Sequence, residues 1–321
     1  MRVSRICLGC WAFAGDKAWG PQKDSDSIRT VHAAIEMGIN FFDTAEIYGN
    51  GHSEEILGKA LSGRRGDVVI GTKVNPEHLS RPKLMRACEA SLYRLRTDYI
   101  DLYHIHFANP EVSIIETLET LEKLQDEGKI RAIGVSNFGR QDLQELLTYG
   151  RVEVNQLPYS LLWRAIEYEI LPICIQNDIA ITCYSPLAQG LLTGKFHSSE
   201  EVPQGRARTR HFSGQRPLAR HGEEGAESET FSTVEAIRSL SKQTSIPMAK
   251  MTLGWLLTRK SVTSVIVGAR NPSQIRQNAQ AADLELSPDI VSKLTNITEK
   301  LKKKLGSSAD MYESQPKSRI H

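Results

Sequence analysis

An α/β fold, a single-domain (β/α)₈ TIM barrel, is the architecture that the sequence predicts, and three observations support it. Short apolar runs of β-type residues alternate with longer segments of helical hydrophobic periodicity, as in a parallel sheet whose connections cross back over it. There are eight such runs, the number that closes into a barrel, and 321 residues suit one domain of this kind. Polar residues follow nearly every run, at the end where barrel enzymes carry their chemistry.

The strands are predicted from short runs rich in β-branched and other apolar residues, a pattern typical of strands buried on both faces. Most of these runs end in or beside a polar residue or a glycine, which marks the carboxyl edge of the barrel. In chain order the predicted strands are Ile6–Leu8, Asn40–Thr44, Val68–Val74, Ile100–His106, Ala132–Ser136, Val152–Gln156, Ala180–Tyr184 and Ser264–Val267.

The helices are predicted from apolar residues spaced three and four apart, with start or stop signals at several ends. Asp24 or Ser25 begins the first helix and Gly38 follows it, while Gly128 follows the helix that ends at Glu127. In chain order the predicted helices are Ser25–Met37, Pro82–Leu95, Ser113–Glu127, Gln141–Leu147, Ala165–Gln176 and Pro247–Thr258.

Two segments of the single domain 1–321 fall outside this alternation. Residues 197–228 are rich in Gly, Arg and Glu and lack periodicity, so we expect a mobile loop over the active face. The segment 287–321 is predicted as a helix through Lys304 followed by an extended tail.

Charge and cysteine content exclude several classes of protein. The net charge is +2 and the basic runs are short, so neither nucleic acid nor a membrane surface is expected as a partner. No stretch approaches the roughly 18 apolar residues of a membrane helix, and no signal peptide is expected. The five cysteines lie mostly in apolar runs without a second Cys pair or a His cluster to complete a metal site. We therefore expect a cytoplasmic protein that holds no metal.

Four polar residues at strand ends form a pattern that suits carbonyl reduction. Asp43 ends the second strand, Tyr48 follows it, Lys73 lies near the end of the third strand and His106 ends the fourth. A tyrosine with a pKa of about 10 is a poor acid at neutral pH, and a lysine held by an aspartate supplies the positive charge that makes it a better proton donor.

Each of these residues also has a structural interpretation. Asp43 could cap a turn, Lys73 could be a solvated charge, and His106 could be a core histidine bonded to backbone. The order of all four on consecutive strands nevertheless favours a functional site. His104 lies on the same strand face as His106 by alternation but deeper, and is predicted to be a packed core residue.

Seven short motifs follow one another along nearly the whole chain. They are Phe42-Asp43-Thr44-Ala45 with Tyr48-Gly49, Gly71-Thr72-Lys73-Val74, Asp101-Leu102-Tyr103 with Ile105-His106, Gly134-Val135-Ser136-Asn137-Phe138, Glu153-Val154-Asn155-Gln156, Tyr184-Ser185-Pro186-Leu187 and Val267-Gly268-Ala269-Arg270. In this order they make the chain resemble the aldo-keto reductase family. This resemblance implies an NAD(P)H-dependent oxidoreductase that binds its cofactor at the barrel mouth without the Gly-x-Gly-x-x-Gly fingerprint, which the chain lacks between a strand and a helix.

The family's catalytic tetrad falls on Asp43, Tyr48, Lys73 and His106. The resemblance implies that Tyr48 donates the proton to the substrate oxygen, that Lys73 stabilises the developing phenolate and that Asp43 keeps Lys73 charged. His106 is expected to orient the carbonyl group. Trp11, Trp19 and Phe107 are predicted to line an apolar substrate pocket, as are Phe13 and Trp163, although all of these aromatics could instead anchor loops.

The resemblance also implies cofactor-binding residues, although Ser-Asn after a strand and a Gly-rich loop are also ordinary turn chemistry. Ser136, Asn137 and Gln156 are expected to bind the carboxamide, and Tyr184 to stack on the nicotinamide ring. Arg206, Arg208 and Arg210 are read either as a phosphate clamp or as solvated charges. The remaining predicted cofactor residues are Ser185, Pro186, Leu187, Gln189, Gly190, Thr193, Lys195, Gly268, Arg270, Gln274 and Asn278.

Arg270 indicates which nicotinamide cofactor the protein prefers. A guanidinium at a helix N-terminus suits the adenosine 2′-phosphate, so NADPH is favoured over NADH. The alternative is that Arg270 pairs with a surface acid.

The predicted function is reduction of aldehydes or ketones. Oxidation of a sugar or cyclitol and a regulatory role like that of potassium-channel β subunits are the alternatives, and the natural substrate and oligomeric state are left open. Residues 1–5 are at most a remnant of the N-terminal hairpin that relatives usually have.

Overall fold

The computed structural model describes residues 1–321 and confirms the (β/α)₈ barrel. Eight parallel strands pair in sequence order, and β8 closes the barrel against β1 with Leu8 opposite Val267. The strands are β1 Ile6–Gly9, β2 Phe41–Asp43, β3 Val69–Val74, β4 Ile100–Ile105, β5 Ile130–Ser136, β6 Val154–Pro158, β7 Ala180–Tyr184 and β8 Val262–Gly268.

Ten α-helices cover the outside of the barrel. The first helix begins without a side-chain cap but carries Asp24 and Asp26 in its first turn, where carboxylates suit the helix dipole. The helices are α1 Asp24–Glu36, α2 His52–Ala60, α3 Arg81–Leu95, α4 Ile114–Asp126, α5 Arg140–Tyr149, α6 Ile170–Gln176, α7 Glu227–Thr244, α8 Met248–Leu257, α9 Pro272–Ala279 and α10 Pro288–Leu305.

Helices α2 and α7 are absent from the predicted set, and one predicted helix is divided. Helix α2 was missed because it is only nine residues long and contains Gly58, a poor helix former. That glycine is needed for packing, since a Cβ there would meet the backbone of Arg94 and Leu95 at 2.7 Å, on α3. The predicted helix Ala165–Gln176 is divided into a 3₁₀ turn and α6, with Glu169 between them outside the helical region.

The barrel interior is apolar toward the N-terminal ends of the strands and polar toward their C-terminal ends. Six buried side chains from different strands fill the N-terminal end of the barrel, and Val3 packs against them. Residues 1–5 contain no strand. The six residues are Cys7, Phe41, Val69, Leu102, Ala132 and Ile266.

His104 fills the middle of the barrel, as predicted. The side chain is fully buried, and neither ring nitrogen has a hydrogen-bond partner. Its ring occupies space opened by Gly134, where a Cβ would lie 2.6 Å from the imidazole. Burial, together with the nearby ammonium of Lys73, lowers the pKa of His104 to about 3, so the imidazole is neutral.

The segment between β7 and α7 packs over the C-terminal face of the barrel rather than standing clear of it. Phe212 and His211 are buried, and the His211 ring contacts Trp163. The backbone N–H of Arg210 donates to Met311 in the tail at 2.9 Å. Mobility of the loop stays a prediction.

No helix in the structure is both long enough and apolar enough to cross a membrane.

Candidate active site

A buried ion pair between β2 and β3 forms the centre of the candidate site. The Nζ atom of Lys73 lies 2.7 Å from Asp43 Oδ1 and 2.7 Å from the Thr44 carbonyl oxygen. The side chains of Lys73 and Asp43 are 0% and 4% exposed. Neighbouring parallel strands place both residues at the same barrel edge, with Asp43 paired in register with Gly71. Burial lowers the Lys73 pKa, but Asp43 and Tyr48 outweigh it and raise the pKa above 10.5.

Tyr48 lies above this ion pair in the loop after β2. The Lys73 ammonium is 5.2 Å from the centre of the phenol ring. Burial raises the pKa of Tyr48 to about 12, and the positive charge of Lys73 acts in the opposite direction. The tyrosine is therefore a protonated phenol at neutral pH, next to a cation that would stabilise its anion.

His106 follows β4 and meets Tyr48 edge to face, with 5.9 Å between the ring centres. Burial is the main cause that holds the pKa of His106 well below 6.5, and the charges of Lys73 and Arg319 add to it. The imidazole is neutral at physiological pH and can offer one N–H to a carbonyl oxygen. The structure thus brings together all four residues of the predicted tetrad.

The three residues predicted at the carboxamide and Tyr184, predicted to stack on the nicotinamide ring, form one hydrogen-bond network beside the tetrad. The Tyr184 hydroxyl donates to Asn137 Oδ1 at 2.8 Å, and Asn137 Nδ2 donates to Ser136 Oγ at 3.0 Å. Gln156 Nε2 donates to Asp43 Oδ2 at 2.8 Å, a contact that links this network to the ion pair. Asn137 is held at a φ of +62°, and such strain in a non-glycine residue is typical of functional sites.

The loop after β7 has an unusual backbone. Positive φ angles occur at Ser185, Ala188 and Gln189, which are not glycines, and again at Gly190. Successive left-handed and right-handed residues turn N–H groups toward one side and create anion-binding concavities. Pro186 and Leu187 lie within this turn, and Thr193 and Lys195 follow it. The side chain of Gln189 instead donates to the Tyr312 hydroxyl at 2.6 Å.

The predicted adenosine-phosphate residues lie at the start of α9. Asn271 caps that helix by accepting from the Gln274 backbone at 3.0 Å, and Gln274 Oε1 accepts from the Arg270 backbone at 2.8 Å. Asn278 Nδ2 is 3.5 Å from the Gly268 carbonyl oxygen.

The Arg270 guanidinium is not free. It donates to the carbonyl oxygen of Trp19 at 2.9 Å, to that of Pro21 and to Gln22 Oε1 at 3.0 Å. The alternative of a surface acid is therefore wrong, because the partners of this side chain are oxygens of the loop after β1.

Three cations converge between the β7 loop and α9. Burial and the neighbouring Arg270 lower the pKa of Arg206, and burial together with Arg206 lowers that of Lys195. Like charges placed this close favour an anionic ligand. Arg210, in contrast, is bound to the carbonyl oxygens of Leu305 and Ser308, so neither sequence interpretation of Arg210 holds.

Aromatic side chains surround Tyr48 and His106. Trp11 stacks on Tyr48 with ring centres 5.8 Å apart, and Trp19 meets Trp11 edge to face. Phe107 stacks on His106 at 5.3 Å. These are three of the predicted pocket residues.

Two other aromatics are excluded from the pocket. Phe13 and Trp163 are each only 1% exposed, and Trp163 Nε1 donates to the Ala309 carbonyl oxygen. Both are packed into the core from loops, whereas the alternative left open for them was that they anchor loops.

Sequence reasoning missed Tyr312 and Arg319, which reach the site from the C-terminal tail. The Tyr312 ring lies close to Arg208, and the Arg319 guanidinium lies 4.3 Å from the centre of Phe107. Arg319 is also paired with Asp310 at 3.1 Å. Their contacts span more than 100 residues of chain, as in Gln189 to Tyr312, so no local pattern could have identified them.

Comparisons with known proteins agree with this geometry. The model of the Aldo/keto reductase family matches residues 5–299. The chain is 34% identical over 310 residues to aldo-keto reductase YhdN of Bacillus subtilis, covering 93% of this chain and 91% of that protein. It is 34% identical over 325 residues to the NADH-specific methylglyoxal reductase of Escherichia coli, covering 94% and 96%.

Among solved structures, an aldo-keto reductase from Klebsiella pneumoniae in complex with NADPH is similar, with a TM-score of 0.75 and 30% identity. The match covers 99% of this chain and 95% of that one. The family match runs from just before β1 into α10 and so includes every strand of the barrel. The chain belongs to the aldo-keto reductase family and is an oxidoreductase that reduces carbonyl groups with a nicotinamide cofactor.

Proposed function

We propose that the protein is an NADPH-dependent reductase of aldehydes and ketones in which Tyr48 is the proton donor. The observation that carries this proposal is the buried ammonium of Lys73, bound to Asp43 and facing the Tyr48 ring at 5.2 Å. A charge buried at this depth is costly unless it is paired, and here it supports a phenol next to a neutral imidazole, His106.

The proposed chemistry assigns one task to each residue. The nicotinamide cofactor, when bound, supplies the hydride that reduces the carbonyl carbon. His106 donates its N–H to the carbonyl oxygen and orients it. Tyr48 transfers its proton to that oxygen as negative charge develops there, and the Lys73 ammonium stabilises the resulting phenolate. Asp43 keeps Lys73 protonated, and Gln156 fixes the orientation of Asp43.

The site fits a dinucleotide with an additional phosphate. The amide network of Ser136, Asn137 and Gln156 offers donors and acceptors to a carboxamide. Lys195, Arg206 and Arg270 provide three cations for phosphate groups. The Escherichia coli relative is named NADH-specific and the Klebsiella protein was crystallised with NADPH, so cofactor choice varies among similar proteins.

The catalytic proposal is tested by following NADPH consumption with methylglyoxal and a panel of other aldehydes and ketones. We expect turnover by the wild type and a loss of about 10²–10⁴-fold in kcat for Tyr48→Phe, the range for a positioned acid. NADPH affinity, measured by fluorescence titration, should change less than about threefold. Full activity of Tyr48→Phe would remove Tyr48 as the proton donor.

The same panel separates the alternatives. Tight NADPH binding without turnover of any carbonyl would favour a regulatory subunit. Faster oxidation of polyols with NADP⁺ or NAD⁺ than reduction of carbonyls would favour a sugar or cyclitol dehydrogenase.

Cofactor preference is tested with Arg206→Gln and Arg270→Gln. Loss of a charged contact to phosphate should raise the Kd for NADPH about tenfold while leaving that for NADH within about twofold. Equal losses for both cofactors would contradict a role in binding the 2′-phosphate.

We further propose that the protein works in the cytoplasm. All five cysteines are free and buried, as expected for a reducing compartment. Subcellular fractionation tests this, and recovery outside the cytoplasmic fraction would overturn it.

A further inference from the structure

Arg208 lies at the site mouth between two aromatic rings and has no charged partner. Its guanidinium lies 5.0 Å from the centre of the Tyr312 ring and 5.6 Å from that of Trp11. It forms no ion pair, and its Nε is shielded from solvent without a hydrogen-bond partner. Desolvating a donor of this kind without a partner is costly, which points to a ligand that completes it.

Two other arginines near this wall, Arg220 and Arg319, are already neutralised. Arg220, which also faces Tyr312, is paired with Glu313 at 3.0 Å, and Arg319 is paired with Asp310. Asp16, the carboxylate that touches Trp11, accepts from Trp11 Nε1 at 2.8 Å. Arg208 therefore has no carboxylate partner within the protein.

The position of Arg208 indicates the substrate rather than the cofactor. Trp11 stacks on Tyr48 at 5.8 Å and the Arg208 guanidinium lies 5.6 Å from Trp11, so the guanidinium is at most the sum of these two distances from the phenol ring. Arg206, only two residues earlier, lies over Trp19 and close to Arg270 and thus belongs to the cofactor side.

We infer that the enzyme prefers carbonyl substrates that carry a carboxylate, and that Arg208 binds this group while Tyr48 and His106 bind the carbonyl. This inference rests on the proposed function. A guanidinium binds a carboxylate with two parallel hydrogen bonds, which fixes orientation as well as adding affinity. Trp11 stacks on Tyr48 and Phe107 stacks on His106, and these aromatic faces suit a short apolar or aromatic spacer in the substrate.

The test compares 4-carboxybenzaldehyde with its methyl ester, methyl 4-formylbenzoate. The two compounds have a similar shape and the same aldehyde group, but only the acid carries a negative charge. With NADPH saturating, we expect wild-type kcat/KM to favour the acid about tenfold to a hundredfold, the scale of one hydrogen-bonded charge contact. In Arg208→Gln this preference should vanish because kcat/KM for the acid falls, while kcat/KM for the ester changes less than about threefold.

Arg206→Gln is the matched control, since it removes the same charge from the same loop two residues away. It should weaken NADPH binding and leave the ratio of acid to ester unchanged. Arg208→Gln should leave the Kd for NADPH unchanged. If Arg208→Gln weakens NADPH binding, or slows acid and ester equally, the inference is wrong.

Failure of the inference and failure of the proposed function give different results. Equal turnover of acid and ester by the wild type would leave a carbonyl reductase without the carboxylate preference. If neither aldehyde turns over, calorimetry of 4-carboxybenzyl alcohol binding to the complex with NADP⁺ still decides. The carboxylate site would be supported if the wild type binds 4-carboxybenzyl alcohol more tightly than methyl 4-(hydroxymethyl)benzoate and Arg208→Gln abolishes this difference. Equal binding of the two compounds by the wild type would overturn it.

Discussion

Replacing Asp43 by asparagine should destabilise the protein by breaking the buried ion pair below Tyr48. In the wild type, Asp43 uses one oxygen for Lys73 Nζ at 2.7 Å and the other for Gln156 Nε2 at 2.8 Å. An asparagine has one acceptor oxygen, so it can serve only one of these donors and would face the other with an N–H group. The Lys73 ammonium would stay buried with the Thr44 carbonyl oxygen as its remaining acceptor.

The expected loss follows from this burial. Removing one partner of a buried ion pair costs about 3–5 kcal/mol of the free energy of unfolding. With 321 residues and about 2.1 cal/mol/K of unfolding entropy per residue, this loss lowers Tm by about 4–8 °C. The double variant Asp43→Asn/Lys73→Met should regain most of the loss, because no unpaired charge remains in the core.

Urea unfolding followed by circular dichroism, and calorimetry for Tm, measure these differences. The folded pKa of Lys73 is raised, so its stabilising contribution is complete below the unfolded pKa of about 10.4 and is lost as the pH rises through the folded value. The gap between wild type and Asp43→Asn should therefore shrink above about pH 10. A loss below about 1 kcal/mol at pH 7, or a double variant no better than the single one, would refute the reasoning.

Three other predictions concern packing, pH and thiol reactivity. Gly134→Ala should lower the free energy of unfolding by about 1–3 kcal/mol in urea melts, because its Cβ meets His104 at 2.6 Å; an equal loss in a His104→Ala background would contradict this cause. The acid limb of the kcat/KM profile should have no inflection near pH 6.5, since the pKa of His106 is far lower and that of Tyr48 is about 12; a fall centred near 6.5 would show that His106 titrates normally. A thiol reagent should modify none of the five buried cysteines in the native protein and all of them in urea, whereas rapid native labelling would show that one is exposed.

The barrel and the tetrad were predictable because their signals are local. β2 ends at Asp43 and β3 carries Lys73 next to its last residue, so each strand shows both its burial and its polar end within a few residues. The same reasoning missed α2, where Gly58 weakens the helical pattern for the sake of contact with α3. It also gave Trp163 two interpretations, because a short aromatic segment does not show whether a later part of the chain covers it.

The partners of side chains were less predictable than their positions. Arg270 lies where the motif places it, but its donors go to the loop that contains Trp19 and Pro21, about 250 residues earlier. Gln156 was expected at the carboxamide and also holds Asp43. Such contacts depend on which loops meet at the barrel mouth, and the sequence alone does not encode this in any short pattern.

The tail that contains Tyr312 makes the proposed site modular. The tetrad is attached to barrel strands that must pair and close, so changes there threaten folding. The wall facing the substrate is instead shared with a segment that follows α10 and belongs to no strand. Selection for a new substrate can therefore act on this appended segment and leave the reactive centre and the barrel untouched, which makes the tail the first place to randomise in directed evolution.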